Sequence, residues 1–148
     1  MLVEQPAYFG VRYEDAVREP DSAWQEWAAE AAEGATRAAF VAVEDERWLG
    51  VVACHLRIDR SGTQLYSMWV DPEARGRGVA QALIRAVAAW ADERSCRDVY
   101  LFVQESNRPA RSLYERVGFG PTGTRQPMEH SRRGFKLLLS APVRELLR

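Results

Sequence analysis

Met68-Trp69-Val70-Asp71-Pro72-Glu73-Ala74-Arg75-Gly76-Arg77-Gly78-Val79-Ala80 reads as an apolar strand, an Asp-Pro turn, a glycine-bearing loop and the start of an amphipathic helix. Such a junction makes an anion site. Glycines let the backbone approach a ligand, and the first N–H groups of a helix have no intrahelical partners. The helix dipole adds about 0.3–1 kcal/mol of preference for negative charge. Arg75 and Arg77 add full positive charges. The loop therefore predicts a phosphate-bearing ligand.

The pattern excludes two common phosphate loops. A mononucleotide P-loop closes with Lys-Ser/Thr, and no such pair follows Gly78. Gly76 and Gly78 fit the first two glycines of the dinucleotide fingerprint, but Gln81 stands where the third belongs. On its own, an Arg/Gly surface turn would explain the loop as well.

A second motif follows the strand-like run Val99-Tyr100-Leu101-Phe102-Val103. In Asn107-Arg108-Pro109-Ala110-Arg111-Ser112-Leu113-Tyr114-Glu115-Arg116-Val117-Gly118-Phe119, Asn107 suits an N-cap, Pro109 a first turn and Gly118 a C-cap. Ala110, Leu113, Tyr114 and Val117 share a helical face, which by itself describes a short helix with a core tyrosine. Together, Arg75-x-x-Gly78-x-Ala80 and Asn107-x-x-Ala110-x-x-x-Tyr114-x-x-x-Gly118-Phe119 resemble the coenzyme A loop and the C-terminal segment of the GNAT superfamily of N-acetyltransferases. The resemblance covers roughly residues 38 to 140.

That resemblance implies an α+β fold with GNAT-like α/β/α layers and a mostly antiparallel, mixed sheet whose central strands splay apart. Acetyl-CoA would be the cosubstrate, with no metal. The backbone of Met68, Trp69 and Val70 would pair with the pantetheine arm, Arg75 to Gln81 would hold the pyrophosphate, and Asn107 would meet the pantetheine from the other side. A backbone N–H near Trp69 or Val70 would stabilise the oxyanion, and Tyr114 would act at the sulfur. Ribosomal-protein acetyltransferases of the family carry a glutamate where this chain has Phe102, so that base cannot be carried over. Glu105, Tyr66 and His55 are the alternatives for holding a water. His130, in a polar loop, reads as solvated. The implied reaction is acetyl transfer to an amine of a small molecule or peptide. A non-catalytic acyl-CoA-binding module on the same fold is the alternative, disfavoured by the retained Tyr114.

The 148 residues suit a single domain, 1–148, and the 47% hydrophobic and 28% charged composition is that of an ordinary globular protein. A net charge of −1 gives no reason to expect nucleic acid or an anionic membrane as partner. Cys54 and Cys96 lack metal spacing and read as reduced thiols. With no apolar run of about 18 residues and no signal-peptide pattern, the expected compartment is cytoplasmic.

Periodicity predicts helices over 8–17, from Pro20 to Gly34 and from Val79 to about Glu93. Strands are expected over 40–43 and 50–56 as a hairpin turning at Asp45-Glu46. Further strands are expected over 65–70 after a Ser61-Gly62 turn, and over 99–103, 122–125 and 135–139. Tyr8, Phe9, Tyr13, Trp24 and Trp27 would wall the acceptor pocket or form the core face of their helices. Only Met1 to Gln5 precede a segment resembling the middle of the family's first helix. Either the first strand is absent or the true start lies upstream. An absent strand would leave the strand at Phe40 as an open edge, and a homodimer is expected through this edge or through the aromatic helices around Trp24 and Trp27.

Overall fold

The computed structural model describes residues 35–129 and 133–148. The two N-terminal helices, the question of the first strand, the five aromatic residues from Tyr8 to Trp27 and His130 lie outside these residues. Within them the strands are β1 (Arg37–Glu44), β2 (Arg47–Leu56), β3 (Gly62–Val70), β4 (Asp98–Gln104), β5 (Gly120–Pro127) and β6 (Phe135–Pro142). The helices are α1 (Val79–Asp92), α2 (Arg108–Val117) and α3 (Val143–Leu146). The sheet order is β1-β2-β3-β4-β6-β5. β3 and β4 are parallel and the other neighbours antiparallel, giving the mixed α+β arrangement expected.

The β1–β2 hairpin turns at Asp45 and Glu46, both at positive φ (48° and 65°), as a two-residue turn between twisted strands requires. Alternation along β1 buries Ala38 and half-buries Phe40 and Ala42. These face α1, which buries Leu83, Ile84, Val87, Ala88, Trp90 and Ala91 along one side. Complete burial of an aliphatic side chain such as Ile84 or Val87 contributes roughly 1.5–3 kcal/mol, so this interface fixes where the N-terminus of α1 stands.

β3 and β4 separate partway along. They pair only from Gly62↔Asp98 to Leu65↔Leu101, although β3 stays paired with β2 as far as Val70↔Gly50 and β4 with β6 as far as Gln104↔Lys136. The cause is local. Val51 opposes Trp69 and Ala53 opposes Tyr66, so β3 carries one residue more than β2. Ser67, at φ 52°, absorbs the excess. A bulge bends its strand and raises the twist, which turns the second half of β3 away from β4.

Two elements exceed expectation. β5 extends over Gly120–Pro127, beyond 122–125, because β6 pairs with it from Gly120↔Ser140 to Pro127↔Phe135. α3 follows β6, burying Val143 and Leu146.

Candidate active site

Between the diverging halves of β3 and β4 lies a cleft of about 650 Å³, within the size range of small-ligand sites. Met68, Trp69 and Val70 line it from β3, and Phe102, Val103 and Gln104 from β4. The loop and α1 contribute Ala74, Arg75, Gly76, Gly78, Val79, Ala80 and Gln81. The β4–α2 connection and α2 contribute Asn107, Pro109, Ala110, Leu113, Tyr114 and Arg116. Of the residues expected to hold acetyl-CoA or act at its sulfur, only Arg77 is missing from this lining.

The loop is built from its ends inward. Asp71 accepts a hydrogen bond from the Glu73 N–H (2.9 Å) and caps the short 3-10 turn Pro72–Ala74. Arg47 clamps the same turn, donating to Asp71 at 2.7 Å and Glu73 at 2.8 Å. The Arg47 guanidinium holds the Asp71 carboxyl below its ordinary range, and the Glu73 N–H adds to this. Arg75 folds back so that its Nε donates to the Val70 carbonyl at 3.2 Å, leaving the outer guanidinium nitrogens for the cleft. Gly76 (φ 77°) and Gly78 (φ 83°) adopt the left-handed region that glycine enters without a Cβ penalty. Gly78 is the N-cap of α1 with no side-chain cap, so the first N–H groups of that helix remain available to an anion. Arg77 turns the other way and binds both carboxylate oxygens of Glu44 (3.0 and 2.9 Å). Its side chain ties the loop to the β1–β2 hairpin.

On the other bank, the Asn107 side-chain Oδ1 accepts from the Ala110 N–H at 3.3 Å, the capping role expected. Using the oxygen in this way leaves the amide NH₂ as a donor. The Tyr114 carbonyl accepts from the N–H groups of Gly118 (3.1 Å) and Phe119 (2.9 Å), closing α2. The Phe119 ring meets Tyr114 edge-on, 5.8 Å between centroids. Tyr114 is buried, and burial pushes its pKa up to about 12. The hydroxyl is protonated at neutral pH and is a poor acid.

The cleft is lined from both faces of the sheet. Gly50 faces α1, since a Cβ there would touch Leu83 and Val79. Trp69, opposite Val51, therefore points to the other face. Leu101 and Val103 belong to the core with α1, so Phe102 and Gln104 share Trp69's face. The loop and Tyr114 border one mouth, and Trp69, Phe102 and Gln104 the other. The Asp71 N–H donates to the Leu49 carbonyl at 2.8 Å. By antiparallel alternation the Val70 N–H then points away from β2, toward the cleft.

The residues weighed as bases do not line the cleft. Glu105 is held by Arg125 through two bonds (3.1 and 3.0 Å), and this pairing lowers its pKa. His55 packs against Tyr66 at 5.3 Å, with Nδ1 2.9 Å from the Leu56 carbonyl. Arg116 and Gln104 also line the cleft, with no local signal in the sequence. Both sit at positions where helix or strand periodicity signals only solvent or alternation, and the splay brings them to the cleft. Among the described residues no group of His, Cys, Asp and Glu could hold a metal ion, and no helix is long and apolar enough to cross a membrane.

Comparison with known proteins agrees with this geometry. A mycothiol acetyltransferase from Actinosynnema mirum is 40% identical over 63 residues, covering 43% of this chain and 21% of that protein. The crystal structure of nourseothricin acetyltransferase superposes with a TM-score of 0.68 at 27% identity, covering 74% of this chain and 66% of that one. A Bacillus anthracis protein solved in complex with acetyl coenzyme A shares the fold (TM-score 0.66, 19% identity, 72% and 62% covered). The chain thus spans about a fifth of the length of the mycothiol acetyltransferase and under two thirds of either structural neighbour. The model of the acetyltransferase (GNAT) family matches residues 3–119, and the chain belongs to that family.

Proposed function

We propose that the chain transfers the acetyl group of acetyl-CoA to an amine of a small molecule or peptide. The observation that carries this is the splay between β3 and β4, with a glycine loop and the N-terminus of α1 at one mouth and a buried tyrosine beside it. Pantetheine adds to the open edge of β3 at Met68, Trp69 and Val70 in the manner of an extra strand, with the Asn107 amide meeting it from α2. The pyrophosphate rests on Arg75 and on the backbone from Gly76 to Gln81.

The amine attacks the thioester carbonyl from the Trp69 side. Its lone pair forms the new C–N bond, the Val70 N–H stabilises the oxyanion, and collapse expels the CoA thiolate. Tyr114 donates a hydrogen bond to the developing thiolate. Full proton transfer from a group at about 12 to a thiolate of pKa about 8.5 is uphill by roughly 3.5 units, or about 5 kcal/mol. The amine proton leaves to solvent, since Glu105 is already paired and no described carboxylate lines the cleft.

The free thiols Cys54 and Cys96 fit a reducing, cytoplasmic setting. β1 ends the sheet among the described residues, and the same edge supports a homodimer, to be checked by light scattering. The activity is tested by a panel of amines with thiol detection. Amine-dependent release of CoA is the expected result. Acetyl-CoA binding without release for any amine would favour the non-catalytic alternative.

A further inference from the structure

Two polar atoms in the cleft are buried without a partner: the Trp69 indole Nε1 on β3 and the Gln104 Oε1 on β4. Buried polar groups in folded proteins are nearly always hydrogen-bonded, and an orphan needs a reason. These two share a reason, because both line the same cleft, on the face opposite α1, beyond the point where β3 and β4 separate. One is a donor only and the other an acceptor. Resting on the acetyl-transfer reading, we propose that Trp69 and Gln104 form the amine subsite. The Gln104 oxygen accepts an N–H of the attacking amine, and the Trp69 N–H donates to a hydrogen-bond-accepting oxygen elsewhere on the same substrate.

The chemistry of the surroundings supports this pairing. Gln104 stands two residues along β4 from Phe102, on the same face. An amide oxygen holds a neutral amine through its N–H without stabilising the ammonium form as a carboxylate would, and the lone pair stays free for attack. No aspartate or glutamate is among the described residues that line the cleft, so no carboxylate there holds the nucleophile as its ammonium form. The substrate class is therefore an amine that carries an oxygen acceptor, such as an amino alcohol or an α-amino carbonyl compound. A purely hydrocarbon amine leaves the Trp69 N–H buried and unpaired.

The test uses the full chain at saturating acetyl-CoA with propylamine, ethanolamine and glycinamide, rates being referred to the unprotonated amine. The wild type should prefer ethanolamine or glycinamide to propylamine by roughly tenfold in kcat/KM, the scale of one hydrogen bond. Trp69→Phe keeps an apolar ring and loses the N–H, so it should collapse that preference to within about twofold. Gln104→Met should raise the KM for every amine by roughly tenfold while the KM for acetyl-CoA stays fixed. Gln104→Glu restores an acceptor oxygen and should recover amine binding, but it holds the ammonium form, so kcat should not recover with it. An unchanged preference in Trp69→Phe, or an unchanged amine KM in Gln104→Met, overturns the inference. So does the absence of turnover with all three amines. In that case a melting shift with acetyl-CoA alone shows whether the cofactor reading still stands.

Discussion

Leu65 and Leu101 are the last residues at which β3 and β4 remain in register. Everything the site does depends on what happens beyond them. Before this pair the two strands satisfy each other's backbone, and after it their facing edges are open to a ligand. The bulge at Ser67 sets the divergence, and α1, wedged over β1 to β3, sets where the anion loop stands relative to the open edge.

The two loop arginines should behave differently. Arg75→Ala removes a cation that lines the cleft and should weaken acetyl-CoA binding by roughly tenfold, the order of a charge-assisted hydrogen bond. Arg77 is already engaged by Glu44, an exposed pair of the kind that contributes about 0–1 kcal/mol. Arg77→Ala should change the dissociation constant by less than about threefold. Calorimetric titration of both variants checks the ranking, and equal losses would contradict it.

Gly50 is a steric requirement. A Cβ there would stand 2.8 Å from the Trp69 carbonyl oxygen and 3.1 Å from side-chain carbons of Leu83 and Val79. Gly50→Ala must push β3 or the start of α1 aside. The expected loss is roughly 1–3 kcal/mol, typical of overpacking, together with weaker acetyl-CoA binding. Thermal denaturation with and without the cofactor measures both, and an unperturbed melting temperature would refute the prediction.

Burial raises Cys54 and Tyr114 to about 12 each, from ordinary values of 9.0 and 10.0. Both groups lose a proton more easily in the unfolded chain. Their contribution is complete below pH 9 and is lost as pH rises toward 12, roughly 7 kcal/mol for the two together at about 1.4 kcal/mol per pKa unit. Melting temperature should fall steadily across that window, and Cys54→Ala should flatten its first part. A flat profile from pH 9 to 11 would count against these burials.

Tyr114→Phe removes one hydroxyl and keeps the edge-on contact with Phe119. Folding and acetyl-CoA affinity should persist, while kcat falls by roughly 10- to 1000-fold. The effect should not follow a titration near neutral pH, because the hydroxyl stays protonated there. An unchanged kcat would reduce Tyr114 to a packing residue.

The sequence made the loop, the Asn107 cap, the Gly118 stop and the position of Tyr114 legible, because each is set by residues within a few positions of one another. The parts it hid are set across the sheet. That Arg77 faces Glu44 follows from the hairpin lying beside the loop. Arg116 and Gln104 enter the cleft because β3 bends at Ser67, and a serine gives no local sign of a bulge. β5 includes Gly120, Pro121 and Gly123, poor strand formers on propensity, and exists because β6 pairs with it. α3 is a single turn, too short for a periodicity to register.

On the proposed function, acetyl-CoA binds between β3 and β4 with its pyrophosphate on the loop. Titration calorimetry of the full chain with acetyl-CoA, paired with its melting temperature, addresses this directly. Binding should saturate at one site, and at about 100 times the dissociation constant the folded state should gain about 2.7 kcal/mol. Gly78→Val forces a branched side chain into a left-handed conformation at the N-cap, a strain of roughly 1–3 kcal/mol, and should lose the shift while still unfolding cooperatively. No heat and no shift at millimolar acetyl-CoA in the wild type, or an undiminished shift in Gly78→Val, would contradict the claim.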